Sequence, residues 1–303
     1  MSSLQALLAT ALETKWAILP KTLDAIVSII QRDSIAEYGH FHSAQKLAYV
    51  GDLGSAVSGT RFTSRYGNTG ILTIDGPLVP RAGMMRGASA PELASYEAIS
   101  AEFLALESDP SIKNIMFVLD TPGGAVSGVS DLAALIKSSD KNTQGFVMGM
   151  AASAGYWIGS SVKQLYSANT GEVGSIGVVA AMHDTSAADA KSGIKVIEIV
   201  SSISPNKRLD PSSDAGRSAV QTIVDSLGEI FVGTVAENRK VTREDVISKF
   251  GAGGMLVASA ALNVGMIDGI TTLKSVLKSN NSVNATFTQL IRCDLDSRCH
   301  KGT

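Results

Sequence analysis

Ile115–Asp120 (IMFVLD) runs straight into Thr121-Pro122-Gly123-Gly124, and further along Phe146–Met150 (FVMGM) runs into Ala151-Ala152-Ser153-Ala154-Gly155. Each stretch is a short apolar run ended by small residues, the signature of a strand buried on both faces. Between them Val129–Ser138 has apolar residues at helical spacing. Two buried strands joined through a helix predict a parallel pair with a crossover connection. Working outward, Ile71–Asp75 reads as a strand and Pro91–Leu106 as a helix. Downstream, a helix opens near Ala152, and strands are expected at Leu165–Ala168, Ile176–Met182 and Lys195–Val200, with a short helix at Ala187–Ala190. A long helical pattern runs from Ser212 to about Asn238, followed by the charged turn Lys240–Asp245 and shorter helices to Leu277. The alternation gives an α/β fold with a mostly parallel sheet and crossover helices.

Before this region, Leu4, Leu7, Leu8 and Leu12 keep a helical spacing, and Leu23, Ile26, Ile29 and Ile30 resume it after Pro20. The reading is a helical arm over 1–33, a linker over 34–69, a compact domain over 70–278 and a polar tail over 279–303. The chain has 303 residues, 45% hydrophobic and 18% charged, enough to bury a large core and too apolar for disorder. Its 26 basic and 28 acidic side chains leave a net charge of −2, which offers no bulk attraction to nucleic acid or anionic lipid. Glu13 and Lys15 interrupt the apolar start, so no export signal is expected, and no run is apolar enough for a membrane span. Cys293 and Cys299 both lie in the tail, so thiol chemistry drops out.

The two strand-to-helix junctions are where chemistry belongs, because successive parallel strands open at the same sheet edge. At the first, Pro122 fixes one backbone dihedral, while Gly123 and Gly124 allow a sharp turn with N–H groups unshielded by a Cβ. Such donors suit an oxyanion; a plain βα turn is the competing reading. At the second, small neighbours on both sides leave the Ser153 hydroxyl approachable, as a nucleophile requires, although serine is also a common helix N-cap. Taken together, a carbonyl beside Ser153 would meet the N–H groups of Gly124 and Ala154.

A serine nucleophile needs a base. Of the histidines, His40 and His42 fall in the linker and His300 in the tail, leaving His183 with only the adjacent Asp184 to orient it. A desolvated lysine is the alternative, since an apolar pocket that lowers its pKa from about 10.4 to about 7–8 disfavours protonation by about 4 kcal/mol. Lys207, in Ser204-Pro205-Asn206-Lys207, lies on a loop able to reach the junctions, but the residues alone do not choose it.

The runs LDTPGGAVSG (119–128), GMAASAGYWIGSS (149–161) and GEVGSIGVV (171–179), then an apolar strand and a loop lysine, resemble the signal peptide peptidase family of Ser-Lys proteases. That family is related in fold to the Clp protease proteolytic subunit and the crotonases. The resemblance covers about Ile71 to Gly269 and implies Ser153 as nucleophile, Lys207 as general base and Ser175 as the lysine's hydrogen-bond partner. It also implies Gly124 and Ala154 as oxyanion donors. The Ser-Pro-Asn-Lys neighbourhood departs from the family pattern around its lysine, so Lys195 stays open as the base.

The opening LLATALETKWAILPKTLDAIVSII (7–30) is similar to that of tailed-phage head maturation proteases of the lambda protein C type. This implies a protease acting in the host cytoplasm or procapsid on scaffold, portal or capsid polypeptides or on itself. The family also implies a homo-oligomer with active sites shared between protomers, and needs neither metal nor organic cofactor. Three other readings stand beside it: a cytosolic signal-peptide-peptidase-like enzyme, a crotonase-like acyl-CoA enzyme that leaves Ser153, Ser175 and Lys207 without roles, and a non-catalytic head scaffolding protein.

Overall fold

The apolar runs of the sequence form the middle of one large sheet. The computed structural model describes residues 14–24, 55–57, 60, 62–81, 94–182, 186–193, 195, 197–210 and 212–281. In chain order the strands are β1 (Trp16–Ile18), β2 (Ser55–Ala56), β3 (Thr63–Tyr66), β4 (Thr69–Asp75), β5 (Leu78–Val79), β6 (Ala94–Ser95), β7 (Asn114–Thr121), β8 (Gly123–Ala125), β9 (Asn142–Ala152), β10 (Gln164–Ser167), β11 (Glu172–Gly174), β12 (Met255–Val257) and β13 (Gly269–Ile270). The helices are α1 (Tyr96–Ser108), α2 (Val129–Lys137), α3 (Ala154–Ser160), α4 (Ser186–Lys191), α5 (Asp214–Arg239), α6 (Arg243–Lys249) and α7 (Ala258–Asn263).

The main sheet runs β12-β11-β9-β7-β4-β3-β2, with β10 pairing β9 and β13 beside it. The pairs β4–β7, β7–β9, β9–β11 and β9–β10 are parallel, whereas β2–β3, β3–β4 and β11–β12 are antiparallel. A smaller sheet, β1-β8-β5-β6, stands at the carboxyl edge of the first. Both faces of the central strands are apolar because both are covered. Leu72, Ile74, Phe117 and Leu119 pack with Ile99 and Phe103 of α1 and Leu132 and Ile136 of α2. Alternate residues Ile71, Met116, Val118 and Phe146 turn the other way, against Leu273, Val276 and Leu277. Near the edge, Leu119 faces Val147 but Thr121 faces Ala151, so β9 carries extra residues there and bends toward its terminal serine.

Helix boundaries follow their caps. Ser95 accepts the Ala98 N–H, so α1 starts at Tyr96, later than the expected Pro91, and Ala94–Ser95 is strand. Ser213 caps α5 through the Gly216 N–H. This helix is the one among the described residues long and apolar enough to cross a membrane by length and composition. Its second half is docked instead: Phe231 stacks on Trp157 at 4.3 Å between ring centroids, and Arg239 reaches Asp268 at 2.9 and 3.0 Å.

Four expectations are corrected. Residues 16–18 of the anticipated helical arm are strand, because Trp16 and Ile18 favour extended backbone and Leu19 precedes Pro20, which disfavours the helical region. The anticipated linker contains β2, β3 and the start of β4. Ile176–Met182 forms no strand; Gly177 has φ +159° and only Val179 makes a bridge, to Trp16. Of the expected strand Lys195–Val200, the described residues 195 and 197–200 are also irregular, with Ile197 76% and Ile199 95% exposed and no described strand beside them. His40, His42, His183, His300, Cys293 and Cys299 lie outside the described residues.

Two buried phenols hold the edge in place. Tyr96 donates to the Ala125 carbonyl at 2.7 Å and Tyr156 to the Met266 carbonyl at 2.9 Å. Burial pushes both hydroxyls well above the ordinary phenol range. A proton held more tightly in the folded state stabilises fully below the unfolded pKa of about 10, and that stabilisation is lost as pH rises above it. Urea denaturation between pH 9 and pH 11 should show stability falling above pH 10. Tyr96→Phe should reduce that slope by about 1.4 kcal/mol per pH unit.

Candidate active site

Ser153 sits where β9 ends and α3 begins, with φ +54° and ψ −115°. A residue with a Cβ is strained there by about 1–3 kcal/mol, so its surroundings must hold it. They do so from both sides. The Ser153 N–H donates to the Gly174 carbonyl at 2.7 Å, and its own carbonyl accepts the Trp157 N–H at 2.9 Å. The helix behind it fits closely: a Cβ on Gly155 would lie 2.4 Å from Thr121 Cγ2. Ser153 is 1% exposed, and its Oγ reaches the Gly177 carbonyl at 3.5 Å.

Ser175, which the resemblance implies as the lysine's hydrogen-bond partner, lies on the segment beside Ser153. Gly174 faces Ala152 in the β9–β11 pair, so each strand is followed at the same edge by a serine. Ser175 also has positive φ, +53°, and its N–H donates to the Gly254 carbonyl at 2.8 Å. The structure therefore brings the two serine segments side by side, although no hydrogen bond joins their hydroxyls among the described residues.

The two N–H groups expected as oxyanion donors differ in their surroundings. Ala154 is the first residue of α3 and its N–H has no partner within the helix, beside Ser153 as anticipated. Gly124 does not lie in a bare turn: β8 intervenes between the Pro-Gly-Gly bend and α2 and pairs with β1 and β5. Leu19 N–H to the Pro122 carbonyl and Val126 N–H to the Lys15 carbonyl bracket the β1–β8 ladder. Alternation along an antiparallel ladder makes Ala17–Gly124 a hydrogen-bonded pair, so the Gly124 N–H faces the Ala17 carbonyl. Gly123 N–H donates to Thr121 Oγ1 at 3.1 Å, and that hydroxyl donates to the Gly76 carbonyl at 2.7 Å. Thr121 and Tyr96 are thus positioning residues of the glycine strand that sequence reasoning passed over. The TPGG run held the signal for the first; the second acts across the fold.

Neither lysine reaches the serine within one chain. Lys207 is exposed on a short 3₁₀ turn, Pro205–Arg208, and Lys195 is exposed in the irregular segment before it. No hydrogen bond joins either amine to Ser153 or Ser175 among the described residues, which also hold no cluster of metal-ligating side chains. A groove of about 410 Å³ opens next to the site, lined by Gly177, Val178, Val224, Val232 and Ile247 and by the acidic Asp225 and Glu229.

Comparison with known proteins agrees with this frame. Residues 136–285 match the model of peptidase family S49, and residues 83–170 match that of Clp protease. The chain is 28% identical over 224 residues to capsid assembly protease C of Escherichia phage lambda, covering 70% of this chain and 50% of that protein. It is 24% identical over 194 residues to Protease 4 of Salmonella typhi, covering 62% of this chain and 31% of that protein. It is 24% identical over 219 residues to head-tail preconnector protein GP5 of Enterobacteria phage P21, covering 69% of this chain and 43% of that protein. The chain thus spans half or less of these relatives.

The strained backbone at Ser153 has a measurable consequence. Glycine adopts positive φ without a Cβ penalty, so Ser153→Gly should be more stable than Ser153→Ala by about 1 kcal/mol in urea denaturation. Equal midpoints would show that the site holds no backbone strain.

Proposed function

We propose, from the match of residues 136–285 to the peptidase family S49 model on a Clp protease-like α/β frame, that Ser153 is the nucleophile of a serine endopeptidase that matures phage heads. The observation that carries this is the Ser153 backbone, held at positive φ at a sheet edge, between a glycine strand and a helix N-terminus. In the proposed reaction a neutral lysine takes the Ser153 proton and the alkoxide attacks a peptide carbonyl. The Ala154 N–H, together with the Gly124 N–H once it is released from the Ala17 carbonyl, holds the resulting oxyanion. The leaving amine takes the proton from the lysine, and water then hydrolyses the ester to free Ser153.

Lys207 is the proposed base, supplied by a neighbouring copy in a homo-oligomer, with Ser175 as its hydrogen-bond partner. Two features support this reading. The segment leading to Lys207 exposes Ile197, Ile199 and Ile203, the last at 91%, and a groove with an aliphatic side, Val178, Val224, Val232 and Ile247, and two carboxylates, Asp225 and Glu229, adjoins Gly177, the partner of Ser153. Isoleucines left in water on one copy and the aliphatic side of that groove on another would bury each other. The names of the phage relatives support capsid-assembly polypeptides as substrates, with action in the host cytoplasm or procapsid.

Ser153→Ala and Lys207→Ala should each abolish cleavage of a co-expressed capsid-assembly polypeptide, followed by mass spectrometry. Mixing the two inactive variants should restore part of the activity, because some interfaces then pair an intact serine with an intact lysine. Full activity in either single variant would refute the assigned chemistry. Inactive mixtures would confine both groups to one protomer.

A further inference from the structure

The position that a substrate strand would take beside Ser153 is already filled by the chain itself. β1 is held on two sides. Toward the glycine strand it pairs antiparallel with β8, Trp16 opposite Ala125, Ala17 opposite Gly124 and Ile18 opposite Gly123. On its other edge Trp16 exchanges two backbone hydrogen bonds with Val179, at 2.9 and 2.8 Å. Continued by two residues, that register sets Ile18 opposite Gly177, whose carbonyl is the partner of Ser153 Oγ. The Ala17–Ile18 peptide therefore crosses the mouth of the site, with its carbonyl directed at the Gly124 N–H.

The fit is close and dry. Trp16, Ala17 and Ile18 are 2%, 0% and 2% exposed. A Cβ on Gly123 would lie 2.2 Å from the Ala17 carbonyl oxygen and 3.0 Å from that of Ala152, so the missing side chain is what admits β1 against the end of β9. A short strand bonded through its backbone on both edges, with one small residue at the reactive position, is how an extended peptide is bound by strand addition. Here the peptide is intramolecular, so its effective concentration greatly exceeds that of dilute substrates.

We infer that residues 15–19 are an internal occupant of the substrate-strand position, with Ala17 at the residue whose carbonyl would be attacked. The single chain is thereby self-inhibited until this strand leaves. The inference rests on Ser153 being the nucleophile. A polypeptide substrate must displace β1, and its preferred form is an extended segment with a small residue where Ala17 sits.

The test uses the full chain and two fluorophosphonate probes of different reactivity. Labelling forms the Ser153 Oγ–P bond, expels fluoride and releases the hydroxyl proton, and intact mass reports its rate. In the parent chain the rate should level off with probe concentration at one plateau common to both probes, the rate of strand departure. Ala17→Pro removes the N–H facing the Gly124 carbonyl and should raise the labelling rate at least tenfold. Added peptide Thr-Lys-Trp-Ala-Ile-Leu-Pro should slow this variant again. Equal rates in parent and variant, rising in proportion to probe, would make β1 a fixed part of the fold and overturn the inference. If the variant fails to fold, the parent's plateau decides alone. Absence of label on Ser153 in every form would overturn the nucleophile assignment itself, and the inference with it.

Discussion

A single backbone hydrogen bond, from the Ser153 N–H to the Gly174 carbonyl at 2.7 Å, fixes where the end of β9 stands relative to the end of β11. A non-glycine residue at φ +54° does not stay there unaided. The bond works because β9 and β11 are parallel neighbours whose pairing ends with Ala152 opposite Gly174. Parallel pairing in turn requires helical crossovers, and those crossovers supply the cover that lets both sheet faces be apolar. The geometry of the serine is therefore a property of the sheet as a whole, delivered at its edge.

Within that frame the glycines divide the labour. Gly155 lets α3 settle on Thr121, and Gly123 lets β1 approach the end of β9. Thr121 links Gly76 to Gly123 through one hydroxyl, and Tyr96 holds the end of β8 through the Ala125 carbonyl. The site is thus supported by side chains from several segments, each satisfied by backbone groups rather than by other charges.

The central strands were legible because their signal is local. Ile115–Asp120 and Phe146–Met150 are apolar on both faces, and only a covered parallel sheet accommodates that pattern. The strand-to-helix junction at Ser153 was legible for a related reason, since the small residues Ala151, Ala152, Ala154 and Gly155 mark a tightly packed strand end. What failed were segments governed by distant partners. Lys195–Val200 has strand-forming residues but no adjacent strand among those described. Trp16–Ile18 sat inside a leucine spacing that reads as helix, and nothing nearby announces that Gly123–Ala125 will receive it. The same ladder altered the role read for Gly124, whose donor is bare in the sequence and engaged in the fold.

The pairing of Trp16 with Val179 also sets an order of events during synthesis. Residue 16 leaves the ribosome long before residue 179, and a contact this distant in sequence is slow to close because the intervening loop must first be ordered. The nascent strand can pair with Gly123–Ala125 once these emerge, but its second edge stays open until Val179 follows. A strand made early is thus among the last to have both of its edges covered, and the space beside Val179 closes only then.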